Sequence, residues 1–152
     1  MEYDNLIRDF AERTLKNLEA IEAAVKTDPD ADVYEVTQLI NSMLGLLVFP
    51  KERFFKYIPP IPLEDVRASG WPIPRMERSY RRPKDLRKLV NCLRNGISHC
   101  QIKFDTDGHR LTGLTIWNAD QYGNKTWEAH LVLIELREFG RRFISLLLEF
   151  DR

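Results

Sequence analysis

Hydrophobic residues recur at helical spacing in four segments of the chain. These segments span about 5–26, 33–49, 83–99 and 132–150. In each of them an apolar residue returns every three or four positions, which is typical of a helix that buries one side. Asp32 and Glu35 predict a capping box at the start of the second helix, and Pro50 should end it. We therefore expect four helices, of which the second is apolar nearly all round and the most buried.

Between the third and fourth helices the pattern changes from helical spacing to alternation. Apolar and polar residues alternate at 102–104, 114–117 and 127–131, and turn residues separate these stretches. This pattern predicts a small antiparallel β-meander of up to three strands within 101–131. His109 falls at a turn and His130 on the exposed side of a strand, so both are predicted to be surface residues.

Residues 50–82 have neither pattern and are rich in proline. Seven of the eight prolines of the chain lie between Pro50 and Pro83, which disfavours a regular helix or strand. The segment also contains too many aromatic and aliphatic residues for a disordered linker. We therefore predict a long ordered loop that packs over the helices, and loops of this length are uncommon unless they are functional.

The second half of this segment and the start of the third helix are basic. Seven cations stand against Glu77 and Asp85, with Trp71 and Tyr80 among them: Arg75, Arg78, Arg81, Arg82, Lys84, Arg87 and Lys88. Cations and aromatic rings are what single-stranded RNA requires, for its phosphate charge and for base stacking. A solvated charged loop that pairs with the acidic first helix is the alternative interpretation.

Composition limits the class of protein. The chain has 152 residues, of which 43% are hydrophobic and 30% charged, and its formal net charge is zero. These values fit a single globular domain over 1–152 and give no global attraction to nucleic acid. The sequence shows no signal peptide and no apolar run of the roughly 18 residues that a membrane span needs. We expect a cytoplasmic protein with no membrane partner, in which Cys92 and Cys100 are reduced.

The third helix carries an unusual polar face. At helical spacing its apolar side chains fall within about 100° of arc: Leu86, Leu89, Val90, Leu93 and Ile97. The opposite side presents amides, a hydroxyl, a cation and an imidazole, but no acid: Asn91, Arg94, Asn95, Ser98 and His99. This face is either a solvated surface with a histidine near the helix C-terminus or a phosphate site. In the second case Arg94 binds the anion and His99 acts as acid or base.

The run Arg94-Asn95-Gly96-Ile97-Ser98-His99 resembles the RNA-cleaving motif of the HEPN superfamily (higher eukaryotes and prokaryotes nucleotide-binding). That motif is an Arg, usually a polar residue next, then a short spacer and a His, late in the third helix of a helical bundle. Residues 41–52 are similar to the end of the second helix in a prokaryotic HEPN subfamily found on mobile elements such as plasmids. The predicted fold class is therefore mainly α. It is a four-helix HEPN-like bundle with a long Pro-rich loop between helices 2 and 3 and a small β-meander between helices 3 and 4.

The resemblance implies a metal-independent endoribonuclease without cofactors that acts as a homodimer through the Arg94–His99 helix face. Two copies of His99 would share the acid and base roles, and two copies of Arg94 would hold the phosphate while the 2′-hydroxyl attacks to give a 2′,3′-cyclic phosphate. Gly96 and Ser98 would allow the two copies to approach closely. The expected catalytic residues are Arg94, His99 and Asn95, and the expected substrate-binding residues are Asn91, Ser98, Arg81, Arg82, Arg87 and Lys88.

Other functions stay open at this stage. The resemblance is compatible with a toxin or defence effector that has an antitoxin or another regulatory protein as partner. It is also compatible with a non-catalytic HEPN-like module that binds RNA, a nucleotide or a protein, which the zero net charge favours slightly. A thiol or zinc function through Cys92, His99 and Cys100 is a third hypothesis, and the face without carboxylates disfavours a metal-dependent nuclease.

Overall fold

The computed structural model describes residues 6–28, 30, 34–48, 55, 58–108 and 110–149. The elements in chain order are α1 (Leu6–Thr27), α2 (Glu35–Val48), α3 (Leu63–Ala68), β1 (Arg75–Met76), α4 (Leu86–Ser98), β2 (Ile102–Asp107), β3 (Arg110–Ala119), β4 (Lys125–Val132) and α5 (Leu133–Glu149). The helices α1, α2, α4 and α5 correspond to the four segments with helical periodicity. Asp32, Pro50 and His109 lie outside the described residues, and so do the predictions made on them.

The predicted fold class, a mainly α four-helix bundle with a small meander, is wrong. The described residues form five helices and a four-stranded antiparallel sheet in the order β1-β4-β3-β2. The additional helix, α3, and the additional strand, β1, both lie within 50–82, where the density of prolines predicted a loop. The sheet is also longer than expected, since β3 has 10 residues and β4 has 8.

Helix α3 forms because the prolines flank it and none lies inside it. Pro62 directly precedes the first helical residue, a position where a missing N–H costs nothing. Glu64 and Asp65 occupy the first turn and interact favourably with the helix dipole. Val66 is buried in the core, so the short helix is stabilised by packing rather than by its length.

The sheet shares the hydrophobic core with the helices. Five hydrophobic residues of the two central strands are almost fully buried, namely Leu114, Ile116, Trp127, Ala129 and Leu131. They belong to the same core as Leu93 of α4, Met43 of α2 and Phe139 of α5. Helix α4 packs directly on β3, α2 contacts both α4 and α5, and α1 contacts α2 and α5. The sheet is therefore one wall of the core and not a peripheral insertion.

The Pro-rich segment is anchored to the helices at several points. Trp71 packs edge-on against Phe139 of α5, with ring centroids 5.4 Å apart. The carbonyl of Ser69 accepts a hydrogen bond from Arg142 Nη1 at 3.0 Å. Arg87 of α4 donates its Nε hydrogen to the carbonyl of Ile58 at 2.6 Å. The described part of this segment therefore packs over the helices, but it contains a helix and a strand and is not the loop that the prolines predicted.

None of the helices in the described residues combines the length and the hydropathy that are needed to cross a bilayer.

Candidate functional site on helix α4

Helix α4 begins with a side-chain cap and buries one side. Asp85 is the N-cap residue, and its Oδ1 accepts a hydrogen bond from the backbone N–H of Lys88 at 2.8 Å, which satisfies one of the free donors at a helix start. The five apolar side chains expected in the core are all buried. The predicted polar face is therefore the side that α4 presents away from the core.

A Schellman motif ends α4 at the point where the motif histidine lies. The N–H of Gln101 donates to the carbonyl of Gly96 at 2.7 Å, and the N–H of Cys100 donates to the carbonyl of Ile97 at 3.0 Å. These are the two hydrogen bonds that define this cap. Cys100 has a φ of 55°, the left-handed conformation that this position requires and that glycine usually provides. His99 is the C-cap residue, so two cap hydrogen bonds fix its backbone.

Strand β3 holds this helix end in place. The N–H of Trp117 donates to the carbonyl of Gln101 at 3.1 Å. A Cβ added to Gly96 would lie 2.8 Å from the carbonyl oxygen of Trp117, so only glycine allows this packing. The expectation that Gly96 lies against a second copy of the chain is therefore not met, because β3 occupies that side. Ser98, the other small residue, is exposed.

Arg94 is half-buried and has no ionic partner among the described residues. Its Nη1 is 3.5 Å from Oδ1 of Asn91, a long and weak contact. Its Nε is buried and has no hydrogen-bond partner within the described residues, and no described carboxylate forms an ion pair with it. In contrast, Arg141 and Arg137 of α5 both pair with Glu22 of α1, at 2.5 and 3.4 Å. Arg94 thus keeps donor capacity for an anion, as buried donors are normally satisfied.

Asn95 is half-buried, whereas Ser98 and His99 are exposed. None of these three side chains forms a hydrogen bond within the described part of the chain, although the Asn95 carbonyl accepts the His99 N–H at 3.0 Å. At 100° per residue, Asn95 and His99 lie in one row, whereas Arg94 and His99 are about 140° apart around the helix. One copy therefore presents the cation and the imidazole at the same helix end but on different flanks.

The structure brings three of the expected substrate-binding cations together. Arg81, Arg82 and Lys88 line a cleft of about 290 Å³ beside the start of α4, and Cys92 lies in its wall. Lys88, Cys92, Asn95 and His99 follow each other along one side of α4 by helical spacing. Arg87 is not part of this cleft, because its Nε is bonded to the Ile58 carbonyl. This hydrogen bond attaches the Pro-rich segment to α4.

Cys92 is not a reactive thiol, and the described residues include no metal-ligand group that contains either cysteine. Burial raises the pKa of the Cys92 thiol from an ordinary value of 9.0 to about 11, and the nearby charge of Lys88 only partly opposes this shift. A thiol with this pKa stays protonated at neutral pH and is a poor nucleophile and metal ligand. In the described parts of the chain, no group of three or more His, Cys, Asp and Glu side chains could hold a metal ion.

Sequence reasoning missed Asn118, a residue of β3 next to this site. Its Oδ1 is buried and has no hydrogen-bond donor within the described residues, and it would lie 3.5 Å from a Cβ added to Gly96. The sequence pattern assigned Asn118 to the turn that follows 114–117, whereas it lies in β3, and that pattern does not show that β3 crosses α4 at Gly96.

Comparison with known proteins gives one family. The family model described as HEPN pEK499 p136 matches residues 1–152. Neither the curated proteins nor the solved structures contain a significant match.

Proposed function

The chain belongs to the HEPN pEK499 p136 family, and from this membership we propose that it is a metal-independent endoribonuclease that acts as a homodimer. Membership of a HEPN family supports a nucleotide-binding or ribonuclease-like module. The cleavage reaction, the dimer and the roles of the individual residues are the proposal.

The observation that best supports this proposal is that Arg94 has no ionic partner among the described residues and that His99 is exposed. Arg94 has a buried Nε without a partner and no carboxylate within ion-pair distance among the described residues. His99 is exposed at a helix end that two backbone hydrogen bonds hold in place. An unneutralised guanidinium and a free imidazole are suited to a phosphate and to proton transfer, respectively.

The proposed reaction is an internal phosphoryl transfer. One His99 accepts the proton of the ribose 2′-hydroxyl while the 2′-oxygen forms a bond to phosphorus. The bond between phosphorus and the 5′-oxygen breaks, and a second imidazolium gives its proton to that 5′-oxygen. Arg94 stabilises the charge that develops on the phosphate oxygens. The products are a 2′,3′-cyclic phosphate and a 5′-hydroxyl, and no water or metal is consumed.

The arrangement of the polar face supports the use of two copies. A single His99 cannot readily accept and donate a proton at opposite sides of one phosphorus in a single step. Arg94 and His99 of one copy lie on different flanks of α4, about 140° apart around the helix axis. A two-fold arrangement of the α4 ends would face two imidazoles and two guanidinium groups towards one cleft. Asn95, Asn91 and Ser98 would then orient the imidazole or the phosphate.

Cleavage of RNA in EDTA tests the proposal. Purified chain should cleave mixed cellular RNA, and the new ends should be 2′,3′-cyclic phosphates and 5′-hydroxyls. His99→Ala and Arg94→Ala should each lose at least 10²-fold in cleavage rate, since each removes an acid–base or charge-stabilising group. Both variants should keep the thermal midpoint of the parent, because neither side chain makes a short hydrogen bond within the described residues.

Arg110→Ala is a matched control for the loss of charge, because Arg110 is an exposed arginine at the start of β3. It should cleave as fast as the parent. Full activity in either His99→Ala or Arg94→Ala would overturn the assignment of that residue. Activity in the parent that disappears in EDTA and returns with a divalent cation would overturn the metal-independent mechanism.

The second candidate is a HEPN-like module that binds RNA, a nucleotide or a protein without cleaving. The formal net charge of zero favours it, and so does the lack of any side chain within the described residues that orients the His99 ring. Retention of RNA by both the parent and His99→Ala, with cleavage by neither, would select this candidate.

A further inference from the structure

A second cationic cavity lies away from the polar face of α4. It has a volume of about 700 Å³ and is formed by α3, β1, the segment that follows β1, and β4. Four arginines and a histidine line it together with one acid: Arg67, Arg75, Arg78, Arg82, His130 and Glu77. No residue of the motif 94–99 contributes to its wall. It is therefore a separate site, which adjoins the cleft beside α4 only through Arg82.

The arginines of this cavity have no acidic partner among the residues that the structure describes. None of the four forms an ion pair with a carboxylate in the described parts of the chain. Glu77 is the single acid of the wall, and its Oε1 accepts the backbone N–H of Arg78 at 2.7 Å. By contrast, Glu22 and Glu138 form ion pairs with arginines of α5. Four cations with a single carboxylate among them repel one another, and an anion bound between them would reduce that repulsion.

The position of His130 in the wall is fixed by a chain of side-chain contacts. Its Nδ1 is 2.9 Å from the hydroxyl oxygen of the buried residue Thr115. That hydroxyl is 3.0 Å from both carboxylate oxygens of Asp105. Because an ionised carboxylate can only accept, Thr115 donates to Asp105 and accepts from the Nδ1–H of His130. The Nε2 lies 3.6 Å from Glu128, and the ring is only half-buried at the cavity.

The rest of the wall is apolar. Ile73 and Met76 line the cavity beside the arginines, and both are partly buried against the hydrophobic core. A cavity of several hundred Å³ that combines an apolar wall with a few convergent polar groups is typical of a small-molecule site. Guanidinium groups bind phosphate oxygens with two parallel hydrogen bonds and also stack on planar bases.

We propose that this cavity binds an organic polyphosphate ester. The guanidinium groups of Arg67, Arg75 and Arg78 hold the phosphates, and the organic group lies against Ile73 and Met76. A free nucleoside triphosphate and the 5′-triphosphate end of an RNA are two sources of this chemistry. The proposal does not rest on the ribonuclease function, since no motif residue takes part.

Binding experiments with the full chain test this site in a His99→Ala background, in which RNA stays intact. The probes are ATP, inorganic tripolyphosphate and a short RNA that carries either a 5′-triphosphate or a 5′-hydroxyl, all without divalent cations. Calorimetry should give saturable binding of ATP with one site per chain. Arg75→Gln and Arg78→Gln should each weaken it about tenfold or more, since each removes a cation that donates charge-assisted hydrogen bonds to the phosphates.

Arg110→Gln is the matched control, because it removes the same charge from an exposed position of β3 outside the cavity. It should bind ATP as the parent does. Arg82 is not used, because it lines both clefts. Exposed side chains are changed in all three variants, so equal thermal midpoints should show that each is folded.

The outcomes separate the two sources and the alternatives. Binding of both ATP and triphosphate RNA supports a free nucleotide as ligand. Binding of triphosphate RNA alone, with no affinity for ATP or for 5′-hydroxyl RNA, supports the RNA end. The proposal would be overturned if neither ATP nor triphosphate RNA bound saturably. It would also be overturned if Arg110→Gln weakened binding of the ligand as much as Arg75→Gln does, or if tripolyphosphate and ATP bound with equal affinity. RNA cleavage by the parent is a separate measurement, so failure of either proposal leaves the other unaffected.

Discussion

Gly96 of α4 lies so close to Ile116 of β3 that a Cβ added to the glycine would be 2.4 Å from Cγ2 of the isoleucine. This contact sets the distance between the helix and the sheet next to the candidate site. Because His99 follows only three residues later, the position of the histidine relative to the sheet depends on it. The glycine of the motif therefore has a structural role within one copy of the chain.

We expect Gly96→Ala to destabilise the fold by about 2 kcal/mol, because a methyl group at this place must push Ile116 or the Trp117 carbonyl aside. The gain in helix propensity of up to about 1 kcal/mol is too small to compensate. Urea unfolding measures the difference. Ser98→Ala, at an exposed position of the same helix turn, is the control and should not lower the stability. A Gly96→Ala variant as stable as the parent would contradict the close packing.

Cys100→Gly should stabilise the chain by about 0.5–1 kcal/mol. The residue has a φ of 55°, which costs a non-glycine residue about 1–2 kcal/mol, and glycine loses part of this gain through the greater freedom of the unfolded chain. Denaturant midpoints of Cys100→Gly and Cys100→Ser give the comparison. Serine keeps the strained backbone and should match the parent. If serine stabilised as much as glycine, strain at this position would not be the cause.

The two thiols should react at very different rates. With a pKa of about 11, roughly one thousandth of Cys92 is ionised at pH 8, whereas Cys100 is exposed. Iodoacetamide should therefore modify Cys100 first in the folded chain. In Cys100→Ser the rate at Cys92 should rise about tenfold per pH unit up to pH 11. Rapid modification of Cys92 at pH 8, at the rate found in urea, would contradict the burial.

The same shift has a consequence for stability, and its sign follows from proton binding. The folded pKa of Cys92 lies above its unfolded value, so the folded chain holds the proton over the interval from about pH 9 to 11 while the unfolded chain releases it. The free energy of unfolding should therefore fall as the pH rises through this interval. Cys92→Ala, measured beside the parent, should show a smaller fall.

Mixing of subunits tests whether two copies of His99 share one reaction. If each cleft needs both imidazoles, equal amounts of parent and His99→Ala should give about one quarter of the activity of the parent at the same total concentration. Independent copies would give about one half. A chain that is monomeric by sedimentation and yet fully active would rule out the shared cleft. Mixing with Arg110→Ala in place of His99→Ala should leave the activity unchanged.

The four long helices could be predicted from the sequence, because each has an apolar stripe that repeats over at least three turns. The helix α3 could not, since this six-residue helix lies in a proline-free stretch of only nine residues, 63–71, within a proline-rich segment. The strand β1 could not either, because Arg75 and Met76 become a strand only by pairing with His130 and Ala129. Such pairing joins residues more than fifty positions apart and leaves no local periodicity.

The candidate site was likewise predictable from the sequence only in part. The stripe of α4 predicted which side of the helix faces away from the core, and the structure agrees. The role of Gly96 depends on where β3 crosses the helix, and the spacing of residues along α4 does not predict that position. The cap at Cys100 was hidden because glycine is the usual residue there. His130 was predicted to be a surface residue from alternation alone, but it is half-buried and its hydrogen bond to Thr115 needs the register of β3 and β4.

The strand order β1-β4-β3-β2 makes β1 and β2 the edge strands of the sheet, and edge strands are where fibres can start. An exposed edge strand is a template on which another chain can extend the sheet, and proteins protect such edges with short strands and charged side chains. Here one edge strand is β1, which has only two residues. The other is β2, in which every second residue is charged, namely Lys103, Asp105 and Asp107. Extension of the sheet by another chain is therefore disfavoured at both of these edge strands.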